Sequence, residues 1–307
     1  MAASPRHVIF GTGAIGLATL DALRRRGETV RLVNRSGTAP VPDDIEILGG
    51  DASDPAFTTA AAQGAQVVYQ TLNPPYPQWV ELFPALQASV LAAAQASGAR
   101  LVSMENVYMY GRPNGQPLTE THPYAADTKK GTLRARMARE LLAAHQAGNL
   151  QVATGRASDY FGPRGGAQSM LGDRVIPAAL AGTTATALGD PDQPHTYTYL
   201  PDIGEGLAVL GEHPDAPARS GTSPATPTPG PPASWSRSST SSPASPGPNS
   251  AAPQPSCCAP SGSSTRPCGN CWSCSTSSRN PSSSTAPRSP PSSMSTPPRS
   301  TRPWPTL

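Results

Sequence analysis

The stretch His7-Val-Ile-Phe-Gly-Thr-Gly-Ala-Ile-Gly16 decides the fold that this sequence predicts. Its first four residues are typical of a buried strand, and the three glycines that follow have the spacing of a phosphate-binding turn before a helix. Gly11 allows the tight turn, Gly13 lets the backbone approach a pyrophosphate, and Gly16 lets the helix pack close to the strand. The same pattern also occurs in a strand-to-helix turn without a ligand. The predicted pyrophosphate-binding set is Gly11, Gly13, Ala14, Ile15 and Gly16.

The residues after the second predicted strand indicate which dinucleotide binds. A site that prefers NAD has Asp or Glu about 20 residues after the glycines, where it holds the ribose hydroxyls. This chain has Asn34-Arg35-Ser36 there, so no carboxylate repels a 2′-phosphate, and Arg35 and Ser36 are available to bind it. NADP is therefore favoured, with NAD possible, and an ordinary surface role for Arg35 stays open. Asp51 is predicted to accept a hydrogen bond from the adenine amine, or to be a turn or helix-capping residue.

Strands and helices alternate over residues 1–163, which predicts an α/β fold with a Rossmann-type, doubly wound parallel sheet. Between 164 and 214 the alternation weakens, and we interpret this part as an incomplete, small substrate-side region. The predicted strands are 7–10, 29–33, 45–48, 67–72, 101–104, 150–154 and 196–200. The predicted helices are 17–26, 85–97, 131–146, 175–181 and 203–210.

The last 92 residues, 216–307, differ in composition from the rest of the chain. They contain 26 Ser and 21 Pro, no Asp, Glu, Lys, Val, Ile, Phe or Tyr, and a single Leu at the last position. Too little apolar surface is available there to offset the entropy of ordering the chain. We therefore predict a disordered Ser/Pro-rich tail over residues 215–307.

Charge and cysteine content argue against several classes of function. Residues 1–215 carry 16 basic and 20 acidic residues, so the net charge of +3 comes from the tail and does not indicate nucleic-acid binding. All five cysteines lie in the tail, and without histidine or a folding pattern around Cys268, Cys271 and Cys274 they do not indicate a metal site. No apolar run reaches the ~18 residues of a membrane span, and the first residues lack a signal-peptide pattern. We expect a cytoplasmic protein without membrane partners.

Several spaced motifs resemble the extended and atypical short-chain dehydrogenases/reductases, in particular the NAD-dependent epimerase/dehydratase group. The likeness spans roughly residues 7–214. It implies a Rossmann fold, a nicotinamide cofactor, and oxidoreductase, epimerase or dehydratase activity on a small molecule. The motifs are the glycine turn, Gly50-Asp51, Ser103, and the runs 106–111, 117–120, 156–163 and 197–202.

Members of this group usually carry a Tyr-x-x-x-Lys pair, in which the lysine lowers the pKa of the tyrosine and the tyrosine moves the proton that accompanies hydride transfer. No tyrosine of this chain has a lysine four residues later. The matching position is either Lys130, four residues before Arg134, or Ala126, four residues before Lys130. In both alignments the usual proton donor is missing.

Two functions are compatible with this departure. In the first, the chain is an NADP-dependent oxidoreductase or epimerase with a substituted acid or base. In the second, it binds NADP without turnover, as a sensor or regulatory protein. The first is favoured because the segments at Ser103 and 156–163, which usually border a substrate pocket in this group, are retained. The candidates for the chemistry are Ser103, Tyr108, Tyr124 and Lys130.

The same residues also have structural interpretations. Lys130 serves as an acid or base where burial and Arg134 lower its pKa towards neutrality, but both residues fit equally well on a solvated basic helix face. His195 follows Pro194 in a predicted loop and is interpreted as an ordinary exposed histidine. Asp202 is interpreted as the N-cap of the last predicted helix.

A change of reading frame offers a second explanation of the tail. In the frame displaced by one base, Cys, Trp and TC-type Ser codons all become codons with T in the middle, which encode apolar residues. From Cys268 to Ser275 the apolar residues then fall at 268, 271, 272, 274 and 275, a spacing typical of an amphipathic helix. We predict a frameshift between about Pro214 and Arg219, with a genuine disordered tail as the alternative. In the family resembled, the displaced part closes over the substrate.

Overall fold

The computed structural model describes residues 6–186, 189–190, 192–213 and 220–222 of the 307-residue chain. Within these residues, strands and helices alternate as the sequence predicts. The strands are β1 (His7–Phe10), β2 (Val30–Asn34), β3 (Glu46–Gly49), β4 (Val67–Gln70), β5 (Arg100–Glu105), β6 (Val152–Arg156), β7 (Asp159–Phe161), β8 (Tyr197–Tyr199) and β9 (Ser220–Thr222). The helices are α1 (Ala14–Arg25), α2 (Pro55–Ala61), α3 (Trp79–Ser97), α4 (Lys129–Gln146), α5 (Ile176–Leu180) and α6 (Leu200–Glu212).

Seven of these strands form one parallel sheet in the order β3-β2-β1-β4-β5-β6-β9, and β7 and β8 form a separate parallel pair. The chain order reverses between β1 and β4, so the loops that leave these two neighbouring strands run to opposite sides of the sheet. Ligands of doubly wound folds bind in the crevice that this reversal opens at the carboxyl ends of the strands. The predicted Rossmann-type fold class is therefore confirmed, and its ligand edge is defined.

Alternate residues of the central strands face two separate apolar layers. In β1, Val8 and Phe10 pack with residues of α2, α3 and α4 on one face, whereas Ile9 packs with α1 and α6 on the other. All three side chains are fully buried. A parallel sheet covered on both faces needs such continuous apolar strands, and the burial of apolar side chains on both faces stabilises the fold.

Helices α1 and α6 lie closely packed on the same face of the sheet. A Cβ atom at Gly204 of α6 would come within 2.3 Å of the Ala18 carbonyl oxygen of α1, so only glycine permits this approach. Glu205, the next residue, forms ion pairs with Arg25 and Arg26 at the end of α1.

Three predicted helix starts are wrong, and the first is that of α1, which begins at Ala14 rather than at residue 17. Helix α3 begins at Trp79 rather than at residue 85, with Pro84 inside it, because Trp79 and Phe83 are buried together with their rings 5.2 Å apart and hold the first turn. Helix α6 begins at Leu200, so Asp202 lies in its first turn, where a carboxylate favours the helix dipole, and is not the N-cap.

Three elements were not predicted: α2, β7 and β9. Helix α2 has Asp54 as its N-cap, whose side chain accepts a hydrogen bond from the Ala56 amide, and begins with Pro55. Strand β9 falls within the region predicted to be disordered. The remainder of the predicted tail, with its cysteines, lies outside the described residues. No helix in the part of the chain described by the structure combines the length and the hydrophobicity of a membrane span.

Candidate functional site

The glycine turn between β1 and α1 has the geometry of a phosphate cradle. Gly11 has φ +107°, a conformation that favours glycine, and a Cβ atom at Gly16 would lie 2.0 Å from the Gly11 carbonyl oxygen. Gly13, in contrast, is exposed and has no atom within 4 Å of the position of a Cβ. It caps α1 without a side-chain hydrogen bond, so the first amides of the helix, at the partly buried Ala14 and Ile15, face an open position suited to an anion.

Thr71, just after β4, links that strand to the glycine turn through its hydroxyl. Its hydroxyl lies 3.0 Å from the Phe10 carbonyl oxygen and 3.1 Å from that of Gly11, and a Cβ on Gly11 would lie 2.9 Å from the hydroxyl oxygen. The turn is therefore held rigidly on both sides of the point where the strand order reverses.

Asn34 organises the loop after β2. Its amide nitrogen donates to the Thr12 hydroxyl at 2.8 Å and to the Thr38 carbonyl at 2.7 Å, and its amide oxygen accepts from the Gly37 N–H at 2.7 Å. The Ser36 hydroxyl lies 3.2 Å from the Thr38 carbonyl oxygen. The loop predicted to bind a 2′-phosphate is thus tied directly to the glycine turn.

Arg35 and Asp51 are both exposed at the ends of the adjacent strands β2 and β3. The pKa of Asp51 is lowered by hydrogen bonds from the Ser53 amide and hydroxyl, at 2.9 and 2.8 Å, and also by the charge of Arg35. Asp51 therefore lies in a turn, which is one of the structural roles that the sequence predicts for it. The Arg35 and Asp51 charges are also close enough to influence one another.

Farther along the same edge lies a group of aromatic rings that we call the aromatic cluster: Tyr76, Trp79 and Tyr108. The Tyr76 and Trp79 ring centres are 4.9 Å apart, and those of Trp79 and Tyr108 are 5.7 Å apart. Lys130, the second residue of α4, has its Nζ 3.8 Å from the centre of the Tyr76 ring. Tyr76 and Tyr108 are substantially exposed, so the cluster gives this edge an aromatic surface with one cation on it.

The surroundings of Tyr108 raise the pKa of its hydroxyl and make it a poor base. Burial, a hydrogen bond with Tyr76 and the negative charge of Asp159 raise the pKa of Tyr108 to about 12. The phenol is therefore protonated near neutral pH and serves as a hydrogen-bond donor.

A buried charged network lies beneath this surface, at the ends of β5 and β6. Glu105 and Arg156 are paired in the sheet register and joined by a 3.0 Å contact between Oε2 and Nε, and both are about 2% exposed. Arg156 also donates to the Tyr110 hydroxyl at 2.6 Å and to the Tyr124 hydroxyl at 2.5 Å. The catalytic candidate Tyr124 thus has its hydroxyl oxygen engaged by a buried guanidinium.

Two other predicted residues lie deeper than expected. Ser103 lies inside β5, two residues before its end, and is 1% exposed, because the strand continues to Glu105. Arg134 is 4% exposed, with its guanidinium carbon 4.9 Å from the Phe83 ring centre, and burial lowers its pKa. The solvated basic face is therefore wrong for Arg134, while Lys130 remains partly exposed at the aromatic cluster.

The sequence analysis did not predict two charged pairs that the structure shows, Glu105–Arg156 and Asp159–His195. A signal for Glu105 exists in the sequence, since Glu105 and Arg156 are opposite charges at the ends of consecutive predicted strands. For His195 the signal is absent, because its partner Asp159 is 36 residues away and the two meet only through the β7–β8 pair.

The model of the NAD-dependent epimerase/dehydratase family matches residues 8–222. The chain belongs to this family. The match runs from β1 to β9 and contains both the phosphate cradle and the aromatic cluster. The family's cofactor class, a nicotinamide dinucleotide, fits the cradle, since the turn has the glycine close contacts and the open helix start that a pyrophosphate requires.

Solved structures of epimerases share this fold. The UDP-N-acetylglucosamine 4-epimerase from Bacillus cereus superposes with a TM-score of 0.61 and 15% identity, covering 71% of this chain and 74% of that one. The UDP-N-acetylglucosamine 4-epimerase from Methanobrevibacter ruminantium M1, in complex with UDP-N-acetylmuramic acid, gives 0.59 and 20%, covering 71% and 75%. The UDP-glucose 4-epimerase from Thermus thermophilus, in complex with NAD, gives 0.54 and 20%, covering 71% and 76%. No curated protein sequence matches the chain significantly.

Proposed function

We propose that this protein is an NAD(P)-dependent oxidoreductase of the epimerase or dehydratase type, with NADP favoured over NAD, acting on a small molecule. The observation that carries the proposal is the phosphate cradle, in which Gly16 packs against Gly11 while Gly13 leaves open space before an uncapped helix. Such a turn serves dinucleotide phosphates through backbone N–H groups and the helix dipole. In this proposal Gly11, Gly13, Ala14, Ile15 and Gly16 hold the pyrophosphate.

The preference for NADP rests on the loop after β2. Arg35 is exposed beside the cradle, and the loop residues 34–36 contain no carboxylate. Asn34 and Ser36 shape the loop through their hydrogen bonds, so Arg35 supplies the charge that binds a 2′-phosphate. Asp51 is assigned to the adenine amine, through the carboxylate that already accepts from Ser53.

The aromatic cluster and Lys130 are assigned to the substrate. A bound nicotinamide supplies a hydride acceptor and donor at this edge. The protonated Tyr108 hydroxyl donates a hydrogen bond, the Lys130 ammonium attracts an anionic or polar group, and the buried Trp79 keeps water from the floor of the site. Nucleotide sugars are the first substrates to test, since solved structural neighbours are epimerases named for them.

A non-catalytic NADP-binding sensor is the second candidate, and particular observations favour it. The chain has no Tyr-x-x-x-Lys pair. Moreover, the pKa of Tyr108 is raised, so this tyrosine is not prepared to act as a base. A sensor would bind NADP with a structural response and show no substrate-dependent change in the nicotinamide.

The cofactor assignment is tested by titrating NADPH and NADH into the full chain and following nicotinamide fluorescence, with Arg35→Ala beside the wild type. We expect NADPH to bind more tightly than NADH, and the variant to lose about ten- to a hundred-fold in NADPH affinity, the value of a charge-assisted hydrogen bond. NADH affinity should hardly change.

Arg136→Ala is the matched control, because Arg136 is an exposed arginine on α4 with a surface ion pair to Glu140. Equal NADPH and NADH affinities in the wild type would contradict the NADP preference. A folded chain that binds neither dinucleotide would contradict the proposed function itself.

A further inference from the structure

Asp159 and His195 form an ion pair on the substrate side of the molecule. His195 Nε2 lies 2.8 Å from Asp159 Oδ2, and the two side chains are 47% and 36% exposed. Asp159 begins β7, three residues after the end of β6, and His195 precedes β8, which pairs with β7 in parallel. The His195 ring is also held against the Tyr197 ring, with centres 4.7 Å apart. The imidazole is thus fixed by a carboxylate and a ring while remaining accessible to solvent.

The carboxylate of this pair acts on the aromatic cluster through its charge. The Asp159 carboxylate is one of the charges that raise the pKa of Tyr108, which contacts Trp79 and hydrogen-bonds with Tyr76. Tyr108 and Asp159 each lie three residues after the end of a strand, β5 and β6 respectively, and the last residues of these strands, Glu105 and Arg156, are paired in the sheet. Tyr108 and Asp159 therefore follow neighbouring strands at the same edge of the sheet. Tyr108 contributes a donor there, Lys130 a cation, and His195 a group that titrates.

Two of the other candidates for moving a proton are poorly prepared to do so. Tyr108 keeps its proton because its pKa is about 12. Ser103 is buried within β5. The His195 imidazole, in contrast, is partly exposed and held 2.8 Å from the Asp159 carboxylate, whose hydrogen bond raises the pKa of His195 from its ordinary value of 6.5. Histidine is the side chain that most often serves as a general acid or base.

We propose that His195, oriented by Asp159, is the general base and acid that replaces the missing Tyr-x-x-x-Lys pair of this family member. The inference rests on the proposed function, because it assigns a catalytic residue to that reaction. An Nε2–H bond to Asp159 leaves the lone pair of Nδ1 for the substrate, and Asp159 stabilises the imidazolium after the proton has moved.

The balanced step is the oxidation of a secondary alcohol. The substrate hydroxyl gives its proton to His195 Nδ1, and the O–H electron pair becomes the second bond of the carbonyl. The C–H bond breaks with its electron pair, which travels as hydride to the oxidised nicotinamide. The products are a ketone, the reduced nicotinamide and a His195 imidazolium paired with Asp159. The reverse transfer to the opposite face of the ketone gives the epimer.

The first measurement is the pKa of each histidine, from a pH titration of imidazole resonances in the full chain. We expect the pKa of His195 to lie above 6.5 in the wild type and to fall in Asp159→Asn. Because Asp159 favours the imidazolium, the ion pair stabilises the fold at low pH, and this contribution is lost as the pH rises through the pKa of His195. A His195 pKa that Asp159→Asn leaves unchanged would overturn the proposal.

The second measurement is turnover with NADP⁺ or NAD⁺ and UDP-glucose, UDP-galactose or UDP-N-acetylglucosamine, followed by product analysis and nicotinamide absorbance. We expect His195→Gln to reduce kcat at least about a hundred-fold, the usual contribution of general acid–base catalysis, with cofactor affinity unchanged. Asp159→Asn should shift the acid limb of the pH profile to lower pH, a change that a merely structural role would not cause. His145→Gln, at the far end of α4, is the matched control.

The outcomes separate this inference from the proposed function. Turnover that survives His195→Gln overturns the acid–base role and leaves the oxidoreductase standing. A folded wild type that binds no dinucleotide overturns the proposed function. A wild type that binds the dinucleotide and turns over none of these sugars overturns the acid–base role in favour of the sensor.

Discussion

Glu105 is the single carboxylate that balances two guanidiniums in the described core. Arg156 contacts it directly, and the charge of Glu105 also favours the protonated Arg134, whose Nε has no hydrogen-bond partner among the described residues. Removing one partner of a buried ion pair leaves an uncompensated charge, which costs far more than the loss of a surface pair.

We therefore expect Glu105→Gln to reduce the free energy of unfolding by about 3–5 kcal/mol, as measured by urea denaturation. Asp44→Asn, at the exposed ion pair with Arg24, is the control and should cost no more than about 1 kcal/mol. Similar small losses in both variants would show that water or another group already compensates the buried arginines.

At the scale of single residues, the sequence predicted what depends on local spacing. The glycine turn was predicted correctly as a strand-to-helix turn, because the steric requirements of Gly11 and Gly16 lie within ten residues of the chain. The burial of Arg134 was not predictable, since helical spacing says which residues share a face but not which neighbour covers it. The cofactor contacts of Arg35 and Asp51 stay predictions.

The contact between α1 and α6 permits a test at the scale of elements. Gly204 and Gly206 lie in the same helix, but a Cβ atom meets the Ala18 carbonyl oxygen at 2.3 Å in the first case and open space in the second. Gly204→Ala should therefore lower the free energy of unfolding by about 1–3 kcal/mol, because the helices must separate. Gly206→Ala should raise it by about 0.5–1 kcal/mol, the difference in helix propensity.

Thermal and urea unfolding of the two variants measure both effects. Equal changes at the two positions would indicate that α6 is not docked on α1 as described. A gain in Gly204→Ala would exclude the close contact with Ala18.

Sequence patterns located most elements but not all of their ends. The strands β1 to β6 were predicted within one or two residues of their ends, because buried parallel strands are nearly continuous apolar runs. Pro84 misled the assignment of α3, since the packing of Trp79 against Phe83 outweighs the local preference for a helix to begin after proline. Strand β7 has only three residues, too few to show a period.

The whole chain is tested by shortening it at two points. Residues 223–307 contain no Val, Ile, Phe or Tyr, so a chain that ends after residue 224 should unfold within a few degrees of the full chain. A chain that ends after residue 213 also loses β9 and leaves β6 as the sheet edge. We expect it to unfold at a lower temperature and to self-associate, as measured by circular dichroism and light scattering.

Identical behaviour of the two shortened chains would mean that β9 contributes nothing to the sheet. Unfolding of the chain that ends after residue 224 would mean that the Ser/Pro-rich part has a structural role that its composition does not indicate.

At the scale of the whole molecule, the family match confirms the family that the sequence resembles. It does not explain the Ser/Pro-rich tail, most of which lies beyond the matched residues. The family match ends at Thr222, three residues beyond the interval from Pro214 to Arg219 in which the frameshift is predicted. The match does not test the frameshift, which stays a prediction. Nucleotide sequencing tests it directly, because a second frame with continuous apolar patterning is expected beyond Pro214.

Strand β9 consists of Ser220, Gly221 and Thr222, none of which is an apolar residue, and it still pairs with β6 as the seventh strand. A ladder is made by main-chain amides and carbonyls, which every residue except proline supplies in full. An edge strand of a parallel sheet therefore tolerates almost any amino-acid sequence without proline, whereas the central strands need apolar residues. In the gene, the codons of such an edge strand mark a place where the reading frame can change or a new segment can be joined. The Rossmann-type fold encoded before that place is kept.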